Sequence, residues 1–263
     1  MFRFFILFIC LSTFVLTSCN YTEEITFYPD GSGEFLMDYD MSEAMIAVKK
    51  IGGNEEAYKK EKKVDSIIYF KDLLQEKYDS ISNLPQEEQD NLKSLETMMM
   101  RVKSNYETDV FNLGFGSTFK SISEFPEILE NIDKAKAFNT KGSPEFSKMD
   151  GTAVAKSVND MLKHVDFSFD GKQFSRSLKD GYKPSDEALA ELDKEMSMMG
   201  EEGEETLNAM TYTLVYHFPK KIKSVSNTNA LLSKDKKTMT LKQNYIEMIR
   251  NSELMTLKVV LKD

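Results

Sequence analysis

Apolar and polar side chains alternate at both ends of this chain, whereas the spacing between them shifts to threes and fours. Ile25 and Phe27, then Phe35, Met37, Tyr39 and Met41, flank the turn Pro29-Asp30-Gly31-Ser32-Gly33. Period two around a Pro-Asp-Gly turn specifies a β-hairpin. In the last third, Tyr212, Leu214, Tyr216 and Phe218 alternate up to Pro219; residues 222–225 and the pair Met239 and Leu241 follow, then a short helix at about 245–250 and an apolar strand at 254–261. Strands at both ends with helices between them predict an α+β domain, an antiparallel sheet carrying helices on one face.

The helical spacing is densest at about 55–106. Val64, Ile67, Ile68, Leu74, Tyr78 and Ile81 share one side, Asn83-Leu84-Pro85 breaks the pattern, and Leu92, Leu95, Met99, Val102 and Tyr106 resume it. This predicts an inserted antiparallel helical hairpin ~30 to 40 Å long at ~1.5 Å per residue. Shorter elements fill the remainder. Ser42 caps a helix bearing Ala44, Met45 and Val48, and Ser123 opens one with Ile128, Leu129 and Ile132. Phe111, Leu113, Phe115 and Phe119 form a strand in which Gly114 and Gly116 permit a bulge, and Val165, Phe167, Phe169, Asp170-Gly171 and Phe174 form a second hairpin. Ser185 caps a helix at about 186–199, and the acidic run at 200–205 reads as a mobile loop. No Gly-, Ser- or Pro-rich linker and no repeat divides the chain, so residues 25–263 are read as one domain.

Composition narrows the function classes. With 263 residues, 41% hydrophobic and 29% charged, the chain can build a folded core; two Cys exclude a disulfide scaffold. Lys and Arg number 34 against 43 Asp and Glu, a net charge of -9 that argues against a nucleic-acid partner, because neutralising phosphates needs clustered cations.

The first 18 residues carry one charge, Arg3, before an apolar run at 4–16. As a helix this run reaches ~20 Å where a bilayer core needs ~30 Å, so it reads as the apolar region of a signal peptide. Leu16-Thr17-Ser18-Cys19 follows. This tetrapeptide resembles the lipobox of bacterial lipoproteins, in which a Leu three places before a Cys is followed by two small residues. The resemblance implies acylation of the Cys19 thiol, cleavage before it, and a signal peptide at 1–18. An ordinary secretory signal with an incidental Cys19 is the alternative reading. Cys10 would leave with the signal, and loss of Arg3 leaves 33 basic against 43 acidic side chains, a net of -10. An acidic body is repelled by anionic lipid, so membrane attachment falls to the acyl chains. Residues 19–24 are read as the lipidated Cys and a short tether. Glu23 and Glu24 there resemble the surface-export signals of some Bacteroidetes lipoproteins, which makes the cell surface an alternative to an outer membrane location facing the periplasm.

A second resemblance rests on Asp30-Gly31-Ser32-Gly33 and on Val215-Tyr216-His217-Phe218-Pro219 with Ile222, Val225 and Asn227. These segments are similar to LppM-type envelope lipoproteins and to a set of poorly characterised Bacteroidetes lipoproteins. They imply a sandwich whose curved sheet could shelter a lipid. The expected helical insertion departs from that pattern.

Sites of chemistry are scarce in the sequence. His164 and His217 are the only histidines and neither stands in a His-Glu-x-x-His helix, so no metal site is assigned. His217 alternates with Tyr216 and Phe218 and reads as a solvent-side or hydrogen-bonded residue. No Gly-x-Ser-x-Gly elbow occurs, Gly114-Phe115-Gly116 lacks the third glycine of a dinucleotide loop, and the cluster at 201–205 lacks the spaced ligands of a calcium loop. Met98-Met99-Met100 and Met196, Met198 and Met199 could offer thioethers to Cu(I), but read as core filler or an adaptable apolar surface. The expectation is a non-catalytic, cofactor-free lipoprotein lipidated at Cys19, with a binding or structural role toward another envelope protein. A carrier or sensor of a lipid or other apolar ligand is the alternative.

Overall fold

β1 (Asn20–Phe27) turns through Asp30 and Gly31 into β2 (Gly33–Asp40), the hairpin expected from the sequence. Gly31 takes φ +88°, a conformation that only glycine adopts cheaply, and the Asp30 carboxylate accepts hydrogen bonds from the Ser32 N–H and hydroxyl at 3.0 and 2.6 Å. This computed structural model describes residues 20–42, 63–93, 95–140, 161–179 and 181–263, together with Ile46 and Lys156. Residues 55–62 of the expected insertion and most of the short helix expected after Ser42 lie outside the described residues.

Ten further strands follow: β3 (Lys63–Tyr69), β4 (Met98–Asn105), β5 (Val110–Phe119), β6 (Val165–Phe169), β7 (Gln173–Leu178), β8 (Thr211–His217), β9 (Ile222–Val225), β10 (Leu231–Leu232), β11 (Thr238–Asn244) and β12 (Leu257–Leu261). They build an eight-stranded sheet in the order β10-β11-β8-β1-β2-β5-β4-β3 and a four-stranded sheet in the order β6-β7-β12-β9. Pairing is antiparallel except between β1 and β8, which run parallel from Tyr21 opposite Tyr212 to Thr26 opposite His217. Tyr21, Glu23, Ile25 and Phe27 of β1 all point inward and are buried. The small sheet packs on that face, with the Phe27 ring 4.3 Å from Phe169 and the Phe174 ring 5.0 Å from Tyr216.

The helices are α1 (Phe70–Glu76), α2 (Tyr78–Ile81), α3 (Gln86–Lys93), α4 (Phe125–Thr140), α5 (Asp186–Met198), α6 (Gly200–Ala209) and α7 (Tyr245–Arg250). Phe125, at the start of α4, reaches both sheets, 5.3 Å from Phe119 and 4.7 Å from Phe167 between ring centres. Tyr245 of α7 stacks on Tyr21 at 4.7 Å. The fold is therefore α+β, and a second sheet shares the inner face with the helices.

Two expectations about helices are corrected. Residues 63–106 do not form a helical hairpin: β3 and β4 pair from Lys63 opposite Asn105 to Tyr69 opposite Met99, and only the short α1, α2 and α3 connect them, with no buried residue in any of the three. Val64, Ile67 and Ile68 are β-branched and favour the pleat, and an apolar run this short carries helix and strand periods equally well. Residues 200–209 are helical, not a loop. Gly200, at φ +72°, ends α5 as a left-handed cap, and buried Leu207 docks the next helix on the core.

Gly114 and Gly116 sit in unbroken register between β2 and β4, not in a bulge. A Cβ at Gly116 would lie 2.0 Å from the Phe35 carbonyl oxygen and 3.0 Å from the Leu36 Cα, backbone atoms that cannot step aside.

Candidate functional site

The strand alternation that buries Ile25 and Phe27 also buries Glu23, two residues before. Its partner comes from the other sheet: Arg176 occupies an inward position of β7, two residues after Phe174. The Arg176 Nη2 donates to Glu23 Oε2 at 2.9 Å and Nη1 to the Met255 carbonyl at 2.6 Å, while the hydroxyls of Tyr212 and Tyr216 donate to the two carboxylate oxygens at 2.7 and 2.5 Å. Both charged side chains are fully buried. Burial opposes the Arg176 charge, but the Glu23 carboxylate and the two tyrosine oxygens outweigh it, so the guanidinium stays protonated with its pKa raised. Burial, reinforced by Glu23, pushes both tyrosine hydroxyls well above the ordinary phenol range. They remain neutral donors. With the Phe167 ring 5.7 Å from the guanidinium carbon, the cluster ties the two sheets together, and among its polar atoms the buried Arg176 Nε has no hydrogen-bond partner.

On the opposite face of the large sheet, polar side chains form a row across the strands. His217 Nδ1 lies 3.0 Å from Thr238 Oγ1 and Nε2 lies 2.9 Å from Glu24 Oε1. Arg101 reaches Asp65 at 3.5 Å and Glu24 at 3.9 Å. Hydrogen bonding to His217 holds the Glu24 carboxyl below its usual range despite partial burial. Thr, His and Glu in line resemble a nucleophile with its base and orienting acid. The row links β11, β8, β1, β4 and β3 across strands paired in register.

Beside the row, Asp38 accepts a hydrogen bond from Asn112 Nδ2 at 3.0 Å, yet desolvation raises its pKa. A carboxylic acid whose folded-state pKa lies above the unfolded value loses stabilisation as pH rises through that range. Asp38→Asn should therefore melt higher than the parent near neutral pH, with the difference shrinking as pH falls toward 4. Thermal melts across that range check it; a constant difference would assign the effect to packing.

A cleft of about 350 Å³ opens between β2 and α4. Phe35, Met37 and Tyr39 wall it on the sheet side, Leu129 and Ile132 on the helix side, and Val165 from β6. Lys163, Lys179 and Glu130, all exposed, stand at its rim, where Lys179 Nζ donates to the Lys163 carbonyl at 2.7 Å. Apolar walls with a few polar groups at the mouth, at this volume, suit a small apolar or amphiphilic molecule.

Cys19, assigned to lipidation from the sequence, lies outside the described residues, and β1 begins one residue after it. The stretch read as a tether is thus largely strand: residues 20–24 belong to β1, with Glu23 buried inside. His217 is hydrogen-bonded, as expected, and His164 stacks on Tyr182 at 4.1 Å. Met98 and Met100 point into the core and Met99 to the other face; Met196 is buried while Met198 is 76% exposed, so the methionines are not gathered into one site. Among the described residues no group of three His, Cys, Asp or Glu could hold a metal, and no helix is long and apolar enough to cross a membrane. Sequence reasoning missed the Glu23–Arg176 pair and the cleft. No protein-family model, no curated protein and no solved structure matches this chain.

Proposed function

We propose that this chain is a lipid-anchored lipoprotein of the bacterial cell envelope whose folded body is a non-catalytic carrier or sensor of an apolar molecule. The observation that carries the ligand reading is the cleft between β2 and α4, walled by apolar side chains and rimmed by Lys163, Lys179 and Glu130, which suits an acyl or other apolar body with a polar end. The anchor reading rests on Leu16-Thr17-Ser18-Cys19. With β1 starting at Asn20, the acyl chains on Cys19 would hold the sandwich against the bilayer with almost no slack, in the outer membrane facing the periplasm. The second reading, contact with another envelope protein, loses the long helical hairpin as its contact element, because residues 63–106 form strands and short helices instead.

Two measurements on the full chain expressed in a bacterium test these readings separately. Palmitate labelling and membrane fractionation should follow Cys19: Cys19→Ser loses the label and moves to the soluble fraction, and unchanged partition would discard the anchor. Native mass spectrometry of the wild-type protein should show a copurified apolar adduct that Leu129→Trp, by filling the cleft, reduces at least ~10-fold, the factor for 1.4 kcal/mol of lost binding. An empty wild-type protein would discard the carrier reading.

A further inference from the structure

One end of the sandwich is basic on a chain that is acidic. β1 runs ~25 Å from Asn20 to Phe27 at ~3.3 Å per residue, and β8, parallel to it, ends at the same level as β1. At that level, remote from Asn20, the β6–β7, β8–β9 and β10–β11 connections meet the end of β12. Phe218 N–H donates to the Lys237 carbonyl at 2.8 Å, and three bonds of 2.7 Å join Ile222 to Lys236, Leu261 to Lys172, and Lys262 to Lys221. These backbone bonds gather seven exposed lysines, at 172, 220, 221, 234, 236, 237 and 262, and Lys223 and Lys258 extend the group along the small sheet. Carboxylates stand at this end too, and Glu34 of β2, opposite Thr26, accepts a hydrogen bond from the Tyr28 hydroxyl. Asp30, Asp170 and Asp235 are engaged in their own turns, and Asp263 pairs with Lys172 at 3.3 Å. Residues 218–263 hold ten basic and four acidic side chains in a chain of net charge -9.

Apolar side chains protrude beside this charge. Leu231 and Leu232 form the edge strand β10, directly before the lysine-bearing turn, and are 72% and 41% exposed. Tyr28, in the β1–β2 turn at the same end, is 41% exposed. None of the nine cations is an arginine, so planar forks for bidentate recognition are lacking; compact ammonium groups act as point charges. Clustered lysines beside protruding leucines and a tyrosine match a headgroup layer, where charge attracts and the apolar tips enter the acyl boundary.

We infer that this lysine pole, with Leu231 and Leu232, docks end-on against an anionic bilayer surface. The direction rests on the proposed anchor: Cys19 precedes the opposite end of β1, so the bilayer met by the pole is not the one that holds the acyl chains, and the molecule bridges two lipid surfaces.

The test uses the lipidated chain inserted in phosphatidylcholine vesicles and mixed with fluorescent vesicles of phosphatidylcholine alone or with phosphatidylglycerol added. Only the anionic vesicles should be captured, and added salt should weaken the capture. The triple variant Lys234→Gln, Lys236→Gln, Lys237→Gln should bind on the order of 100-fold more weakly, and Leu231→Ser with Leu232→Ser about 10-fold more weakly. Equal capture of neutral vesicles, or undiminished capture by the lysine variant, would overturn the inference. So would competition by duplex DNA at equal phosphate together with an inert leucine variant, which would assign the pole to a soluble polyanion. Failure of the chain to float with its own vesicles refutes the Cys19 anchor instead. In that case the unlipidated chain, added to anionic and to neutral vesicles, still reads the pole.

Discussion

Arg176→Ala should lower stability by about 3–5 kcal/mol, because it leaves the Glu23 carboxylate buried without its cation. The Met255 carbonyl loses its donor as well, and only the two tyrosine hydroxyls remain on Glu23. For a domain of this size each kcal/mol moves the midpoint by roughly 2–4 °C, so calorimetry should record a fall on the order of 10 °C. The pair as a whole need not stabilise the fold, since apolar residues of similar volume often replace a buried ion pair without loss. Arg176→Met combined with Glu23→Gln, Tyr212→Phe and Tyr216→Phe should therefore recover most of the deficit. If Arg176→Ala melted within a degree or two of the parent, the inter-sheet tie would have no energetic weight.

Phe174→Ala should cost a similar amount, about 3–5 kcal/mol, for an unrelated reason. Phe174 is fully buried, and its ring meets Tyr216 at 5.0 Å, Phe27 at 5.5 Å and Phe218 at 5.9 Å, so truncation opens a void where the two sheets touch. Neighbouring strands are held in register and cannot collapse into it. Denaturant titration should show a lower midpoint at unchanged slope, and Phe174→Leu should recover more than half of the loss. A changed slope would mean that the two sheets no longer unfold together. Because Phe174 and Arg176 face the same layer, their effects should not add.

Local signals in the sequence were reliable where turn chemistry and alternation agreed. Asp30-Gly31 and Asp170-Gly171 close the two hairpins, both glycines take positive φ, and Ser185 caps α5 by accepting from Ala188 N–H. The insertion was misread because Met98-Met99-Met100 is apolar on both faces of its strand, which erases period two, and because Leu92 and Leu95 before it and Val102 and Tyr106 after it fit helical spacing by chance. Glu23 was legible in principle. A carboxylate at an inward position between Tyr21 and Ile25 must find a buried cation, and Arg176, two residues after Phe174 in β7, is the complementary exception. Which exception pairs with which depends on how the sheets stack, and that is not written in either strand. The cleft was illegible for the same reason, since Phe35, Leu129 and Val165 come from three segments whose packing only the tertiary fold defines.

The parallel pairing of β1 with β8 has a kinetic consequence. The second strand of the chain has its hairpin partner at hand within a few residues, but the other edge of β1 waits for Thr211, whose N–H and hydroxyl bond to Asn20 across 191 positions. Closing so long a loop is slow. A ribosome that has released only the first two hundred residues has delivered a sheet with an open seam at β1, and the last quarter of the chain is what closes it.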